Sequence, residues 1–455
     1  MESAGRADAP SRHAQSESPH ASSRDSEPDG PAPWQGGMVA FVVAAWVGMK
    51  ALSSWWWVFR VGEYSDTYYY FLAARDAAAA LASPHAGSWA MTLSQAMPEY
   101  PTPAAWLLLA PYLLGADDPT SYRGAIMLIT TLADAVFAVV LGRTLGPIAV
   151  LSWVMLTTAL GGLPLLRLDM LPAAAAGVAL VLVVQRRGGR AGVAIAVGTA
   201  LKVWPIIVAP LLFAGRARLR AFVSLAVSGI VLVVLSVTAG GWERLLSPLT
   251  YQGDRGLQIE AVAALDAMWR WGRRQGTHIF YSEFHAYEIG GPGVPEALLA
   301  ARIAAVIAVV ACVVLVLRWL RAGTPTRPLG WISLTLIGAF IVTSPALSPQ
   351  YLLWLAPSAA VLVGQASRDG GDAPPWRPAL ATLVLLALLC VLTTVIYPVA
   401  YDALLMITGA TPAALVVLAA RNIGLVVLTV ASGVAAWVVT GGNQRKRPWQ
   451  LGIRA

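Results

Sequence analysis

Apolar runs long enough to cross a bilayer recur along nearly the whole chain, separated by short polar turns and basic clusters. A helix needs roughly 20 apolar residues to span the hydrocarbon core. On that pattern spans are expected at 38–60, 124–142, 147–163, 170–185, 221–239, 297–317, 329–345, 350–366, 378–398 and 412–440. Two apolar stretches do not read as ordinary spans. Pro103 to Gly115 is short and carries Pro111. Ala191 to Gly215 is basic at both ends, and about 25 residues cannot cross twice at 1.5 Å per residue. A re-entrant hairpin with its apex at Lys202 to Pro205 would solve this. A single tilted span with a snorkelling lysine is the alternative.

Lysine and arginine set the orientation. The clusters are Arg186, Arg187 and Arg190; Arg216, Arg218 and Arg220; Arg318, Arg321 and Arg327; and Arg445, Lys446 and Arg447. Placed in the cytoplasm, they put both termini inside. By the same count Pro103 to Gly115 has both ends outside, and the long outer loops are 60–103 and 240–295. The expected fold class is all-α, a polytopic transmembrane helical bundle of about 10–13 membrane helices with the short ones included. Residues 1–36 read as a disordered cytoplasmic tail, 37–441 as the membrane domain and 442–455 as a basic cytoplasmic tail.

Composition agrees. The 455 residues are 57% hydrophobic and only 12% charged, against roughly 25% charged in soluble domains. The net charge of +8 comes with arginines between apolar runs, so it does not point to nucleic acid. Cys312 and Cys390 both lie in apolar runs and have no metal-ligand spacing. No internal repeat is visible, which argues against a repeat-built transporter.

The costly polar residues gather on the outer face: Asp66, Glu99, Arg167, Asp169, Lys202, Asp254, Arg255, Glu260, His278, His285 and Gln350. A transporter would place such groups near the bilayer midplane. Asp66 follows the first span among Trp55 to Trp57, Tyr64 and Tyr68 to Tyr70, rings suited to the headgroup level. It reads either as a base beside a lipid-borne substrate or as the N-cap of a helix over Thr67 to Leu81. Arg167 and Asp169 lie in a turn between spans. They read as a phosphate contact and its orienting acid, or as a local ion pair. Lys202 costs about 2.5–3.5 kcal/mol if central in a membrane, and a lipid phosphate would be a natural partner. Arg255 and Glu260 could hold a diphosphate-like or sugar group, or belong to a capped interfacial helix. The spacing of His278, Glu283 and His285 is not a zinc pattern. Gln350, Tyr351 and Trp354 line the first turn of a span, to stack on a sugar or to anchor the interface.

Together these motifs resemble glycosyltransferase family 87: an Asp in the first outer loop, R-x-D between spans, K-x-W-P at Lys202 to Pro205, R-G-L-Q-I-E at Arg255 to Glu260 and S-P-Q-Y-L-L-W at Ser348 to Trp354. The resemblance covers roughly 37–441. It implies a C-type membrane glycosyltransferase fold and transfer of mannose or arabinofuranose from a polyprenyl-phosphate donor to a cell-envelope glycolipid or glycan. It implies a multi-pass plasma-membrane protein acting at the outer face, and Asp66 as the general base. Arg167, Asp169, Lys202, Arg255, Gln258, Glu260, Gln350 and Tyr351 become substrate-binding candidates. Asp66 has Ser65 and Thr67 as neighbours and no second acid, which favours a single base over a metal-bound pair. No metal or other cofactor is therefore expected. A transporter or flippase of lipid-linked sugars is the alternative.

Overall fold

The computed structural model describes residues 36–61, 65–82, 97–214, 218–253, 255–368, 373–406 and 409–442. Nearly all of the two expected tails, and Asp254, lie outside the described residues. Apart from one short β-hairpin, the regular structure is helical. Among the described residues six helices are long and apolar enough to cross a membrane: Gly36–Phe59, Pro119–Leu145, Arg218–Tyr251, Val294–Arg321, Trp376–Val399 and Pro412–Gly441.

Four expected spans are shorter. Pro147–Ala159, Met170–Val184, Leu329–Thr343 and Tyr351–Ala366 have 13, 15, 15 and 16 residues. That is about 20–24 Å of helix, less than the roughly 30 Å of hydrocarbon. Their ends have local causes. Gly146, at φ +92°, breaks the chain ahead of Pro147. Pro345 and Pro349 separate Thr343 from the next helix start at Tyr351. The short helices form the core: most side chains of Leu329–Thr343 and all but one of Tyr351–Ala366 are buried. The long helices form the wall. Val223, Val227, Ile230, Ile303, Val306, Val309 and Val310 point outward, each more than half exposed. Such a belt suits lipid, not water. The chain is a multi-pass membrane protein.

The sequence reading passed over a charge pair inside this bundle. Lys50, on the first span, pairs with Asp134 on Pro119–Leu145. Lys50 also donates to Thr157 Oγ1 at 2.9 Å, and the Trp46 and Trp153 indoles donate to Asp134. Two buried charges and their partners tie three helices together.

The stretch expected at 191–215 is a hairpin. Gly188–Leu201 is α-helical, Lys202 is extended (φ −158°, ψ 139°), and Trp204–Phe213 returns as a 3-10 helix. Its two ends meet: a Cβ on Gly189 would sit 3.3 Å from Arg220 Cγ, and one on Gly192 would strike the Ala221 carbonyl. Gly192 thus lets the Gly188–Leu201 helix touch the start of the next span backbone to backbone.

Helical structure continues into the stretch expected to begin an outer loop at 240. The helix Arg218–Gly253 runs on through a break at Gly241, where φ is +75°. The extension is anchored by Arg244, fully buried, which donates to the carbonyls of Met97 (3.1 Å) and Tyr100 (2.9 Å). Beyond it the strands His278–Tyr281 and Tyr287–Gly290 pair antiparallel. Leu257 to Ile259 runs along the second strand, Ile259 N donating to Tyr287 O at 3.1 Å and Ile289 N to Leu257 O at 2.9 Å.

Candidate active site

The helix expected over Thr67 to Leu81 spans Ser65–Ala82 and carries Asp66 in its first turn. Asp66 is the second helical residue, not the cap before it. Its carboxylate forms an ion pair with Arg167. Arg167 leaves the short helix Leu163–Leu166, held in place where Thr130 Oγ1 donates to the Leu165 carbonyl at 2.8 Å. Its Nη2 also donates to the Tyr397 hydroxyl at 3.2 Å, with the guanidinium 5.7 Å from that ring.

The two charged residues of this turn face different partners, so the local Arg167–Asp169 pair does not form. Asp169 is completely buried. Lys202 Nζ lies 2.9 Å from both its oxygens, and Trp354 Nε1 donates to Oδ1 at 2.7 Å. Trp354 stacks between Trp204 (5.0 Å) and Tyr351 (4.0 Å). The hairpin apex is therefore latched to the core through its lysine, and the ammonium lies 5.5 Å from the Tyr100 ring. Asp169 was expected to meet substrate. It sits behind the wall instead, because both its oxygens serve Lys202 and the Trp354 indole.

The segment Arg255 to Glu260 brings the third cation and a third acid. Arg255 lies 5.8 Å from the Tyr251 ring. Gln258 N donates to Pro345 O at 3.0 Å, tying this segment to the stretch that carries Gln350. Glu260 is wholly buried and accepts from Arg421 Nη2 at 2.8 Å. Asn422 Nδ2 donates to the backbone carbonyls of Glu260 (3.2 Å) and Ala261 (3.3 Å). Burial pushes the Glu260 carboxyl up to about 7, and Arg421, with Arg167 beyond it, limits the rise.

These side chains surround one cavity of about 230 Å³. Asp66, Glu99 and Glu260 supply its acids and Arg167, Lys202 and Arg255 its cations, with Gln258, Ser348 and Gln350 between them. Aromatic rings close the remainder: Tyr69, Tyr70, Tyr100, Tyr251, Tyr281, Phe284, His285, Tyr287, Tyr351, Tyr397 and Tyr401. Burial holds the Tyr69, Tyr70, Tyr100 and Tyr401 phenols far above their ordinary range. They act as neutral hydrogen-bonding groups. His285 packs on Tyr69 at 4.8 Å, whereas His278 is exposed on the hairpin. Among the described residues no three His, Cys, Asp or Glu side chains gather at one point.

The family model of glycosyltransferase family 87 matches residues 98–349, more than half of the chain. The chain belongs to glycosyltransferase family 87. It is thus a membrane glycosyltransferase, and its multi-pass helical bundle is the C-type architecture expected of that family. No curated protein matches the chain. Among solved structures it is similar to the crystal structure of ArnT from Cupriavidus metallidurans bound to undecaprenyl phosphate, at 16% identity and a TM-score of 0.43, covering 89% of this chain and 78% of that one. Within this family 87 chain, Arg167, Lys202, Arg255, Gln258 and Glu260 all lie in the matched stretch and at the cavity. Asp66 lies before that stretch, and Gln350 and Tyr351 just after it.

Eight of the nine expected site residues line the cavity, Asp169 being the exception. Tyr100, Tyr397, Tyr401 and the Arg421–Asn422 pair were not expected. Arg421 and Asn422 had a signal: a charge and an amide inside an apolar run are expensive and seldom idle. The tyrosines had none, since interfacial tyrosine is ordinary.

Proposed function

We propose that this enzyme transfers a sugar, mannose or arabinofuranose, from a polyprenyl-phosphate donor to a glycolipid or glycan acceptor at the outer face of the plasma membrane. One observation carries the reading. A single cavity holds a carboxylate, Asp66, on helix Ser65–Ala82, touching a cation, Arg167, with Lys202 and Arg255 also in its lining.

The chemistry follows from that set. Asp66 takes the proton of the acceptor hydroxyl as its oxygen bonds to the anomeric carbon. The bond from that carbon to the phosphate oxygen breaks, and the sugar inverts. Polyprenyl phosphate departs carrying the negative charge. Arg167, Lys202 and Arg255 stabilise that charge where it develops, which is the larger electrostatic share; general base action contributes about 10²–10⁴-fold. Lys202 is poised for this, since Asp169 fixes it while its side chain stays 16% exposed.

The outer-face assignment is supported by charge. The cavity lies at the bundle end that carries Asp66, Gln350 and Tyr397. Arg318 and Arg321 are in the last turn of Val294–Arg321, at the far end of that helix from the cavity-lining stretch Arg255 to Tyr287 that precedes it, as expected of a cytoplasmic cluster.

The test is turnover by purified enzyme with two donors. A polyprenyl-phosphate sugar should be used and a nucleotide sugar should not. Equal turnover with the nucleotide sugar alone would overturn the assignment.

A further inference from the structure

Among the described residues, the cavity lining includes side chains whose oxygens have no hydrogen-bond partner. Glu260 Oε1, Gln258 Oε1 and Gln350 Oε1 are each buried and unpaired among the described residues. All three side chains line the cavity and are 0%, 5% and 8% exposed. A buried polar atom left unpaired costs about 1–3 kcal/mol. Three together mark a place where a ligand supplies the hydrogens.

Glu260 is built in with unusual thoroughness. Arg421 and Asn422 reach it from the Pro412–Gly442 helix, far along the chain. Arg421 is 0% exposed, and its hydrogen bonds all go to Glu260, to Oε2 and more weakly to the backbone oxygen at 3.4 Å. Asn422 fixes the same backbone. A cation buried in a membrane helix is costly. This one serves to hold one carboxylate, with one oxygen neutralised and the other left without a partner.

The sign of the charge selects the ligand group. A carboxylate repels phosphate, so Glu260 cannot share the phosphate subsite with Arg167, Lys202 and Arg255. A neutral polyhydroxyl group offers the O–H donors that the three oxygens lack. Glu260 also feels the field of Arg167, and Arg167 touches Asp66. All of these side chains line the one cavity, so a sugar held by the three oxygens shares a chamber with the base and the phosphate-binding cations.

Resting on the functional reading above, we propose that Glu260 is the specificity-determining residue for the transferred sugar, accepting a hydrogen bond from one of its hydroxyls, and that Arg421 and Asn422 are its positioning residues. Gln258 and Gln350 complete the subsite. Sites built to pair a substrate hydroxyl reject analogues lacking it far more strongly than apolar pockets do.

The test uses binding, so it does not depend on turnover. Affinity of the full chain in detergent is measured for two lipids: a polyprenyl phosphate with no sugar, and the same lipid carrying mannose or arabinofuranose. Wild type should bind the sugar-bearing lipid more tightly. Glu260→Gln should lower that affinity by about 10-fold or more and leave the bare lipid within about twofold. Arg421→Met should give the same selective loss, and adding it to Glu260→Gln should cost nothing further. A structural role alone would weaken both lipids and add to the first change. Arg421→Lys should recover part of the loss.

The pH profile is a second readout. The charged and titratable groups facing Glu260 are Arg421, Arg167 and Tyr401. Affinity for the sugar-bearing lipid should rise as Glu260 ionises through about pH 7, and the rise should move to higher pH in Arg421→Met. Equal losses for both lipids in Glu260→Gln, or no loss, would overturn the proposal. A wild type that binds neither lipid would overturn the functional reading, and this proposal with it.

Discussion

The carboxylate of Asp66 and the guanidinium of Arg167 form an ion pair across the cavity wall. One comes from the first turn of Ser65–Ala82, the other from the turn after Leu163–Leu166. The pair places an acid that can take a proton directly beside a cation that can take a phosphate. A helix-capping role would turn Asp66 back toward its own backbone. Its position inside the helix and its partner on another element favour the chemical role.

Lys202 should depend on Asp169 for its place. Asp169→Asn keeps the shape and the contact with Trp354 but leaves Lys202 without its counter-charge. Losing one member of a buried ion pair typically costs about 3–5 kcal/mol; with Lys202 partly exposed the cost should lie at or below the low end. The expected result is a lowered melting temperature in detergent and a donor KM raised more than kcat is lowered. Unchanged stability and unchanged KM would show that the hairpin apex is held by its tryptophans alone.

The Lys50–Asp134 pair should matter to folding and not to chemistry, since neither residue reaches the cavity. Asp134→Ala leaves an unpaired cation among apolar helices and should destabilise by about 3–5 kcal/mol. Lys50→Met with Asp134→Leu should recover most of this, because matched apolar replacements of a buried pair are often close to neutral. Thermal unfolding and specific activity of the folded fraction check both halves.

Much of this was legible in the sequence, and the exceptions have physical causes. Apolar run length found the spans, because lipid demands it. Basic residues at both ends of a stretch too short to cross twice singled out the segment around Lys202 but left a hairpin and a single tilted span both open; the structure has the hairpin. The extension of Arg218–Gly253 past Gly240 was not legible. Trp242 to Gly253 looks like loop by composition and is held helical by Arg244, whose partners are carbonyls in another segment. The partners of Asp169 were not legible for a similar reason. Sequence proximity to Arg167 suggested a shared ligand, while the turn directs the two side chains to opposite sides. Arg421 and Glu260 are too far apart in the chain for spacing to connect them.

The cavity should be accessible from outside the cell. Glu283 is exposed at the tip of the hairpin between His278–Tyr281 and Tyr287–Gly290. Glu283→Cys should react with a membrane-impermeant thiol reagent in intact cells, against a low background from Cys312 and Cys390 in their membrane helices. Labelling only after lysis would reverse the orientation.

The most direct measurement is the single-turnover rate of Asp66→Asn with a polyprenyl-phosphate sugar. Asparagine keeps the size, and its amide oxygen can still accept from Arg167. Inside the first turn the exchange gives up only the interaction of the charge with the helix dipole, about 0.3–1 kcal/mol, so yield and donor affinity should stay near wild type. What it removes is the base. The rate should fall by about 10²-fold or more. Asp66→Glu should retain more activity than Asn while remaining poor, since a shift of about 1 Å can already cost about 10²-fold. An Asp66→Asn enzyme that turns over at near the wild-type rate would contradict the account.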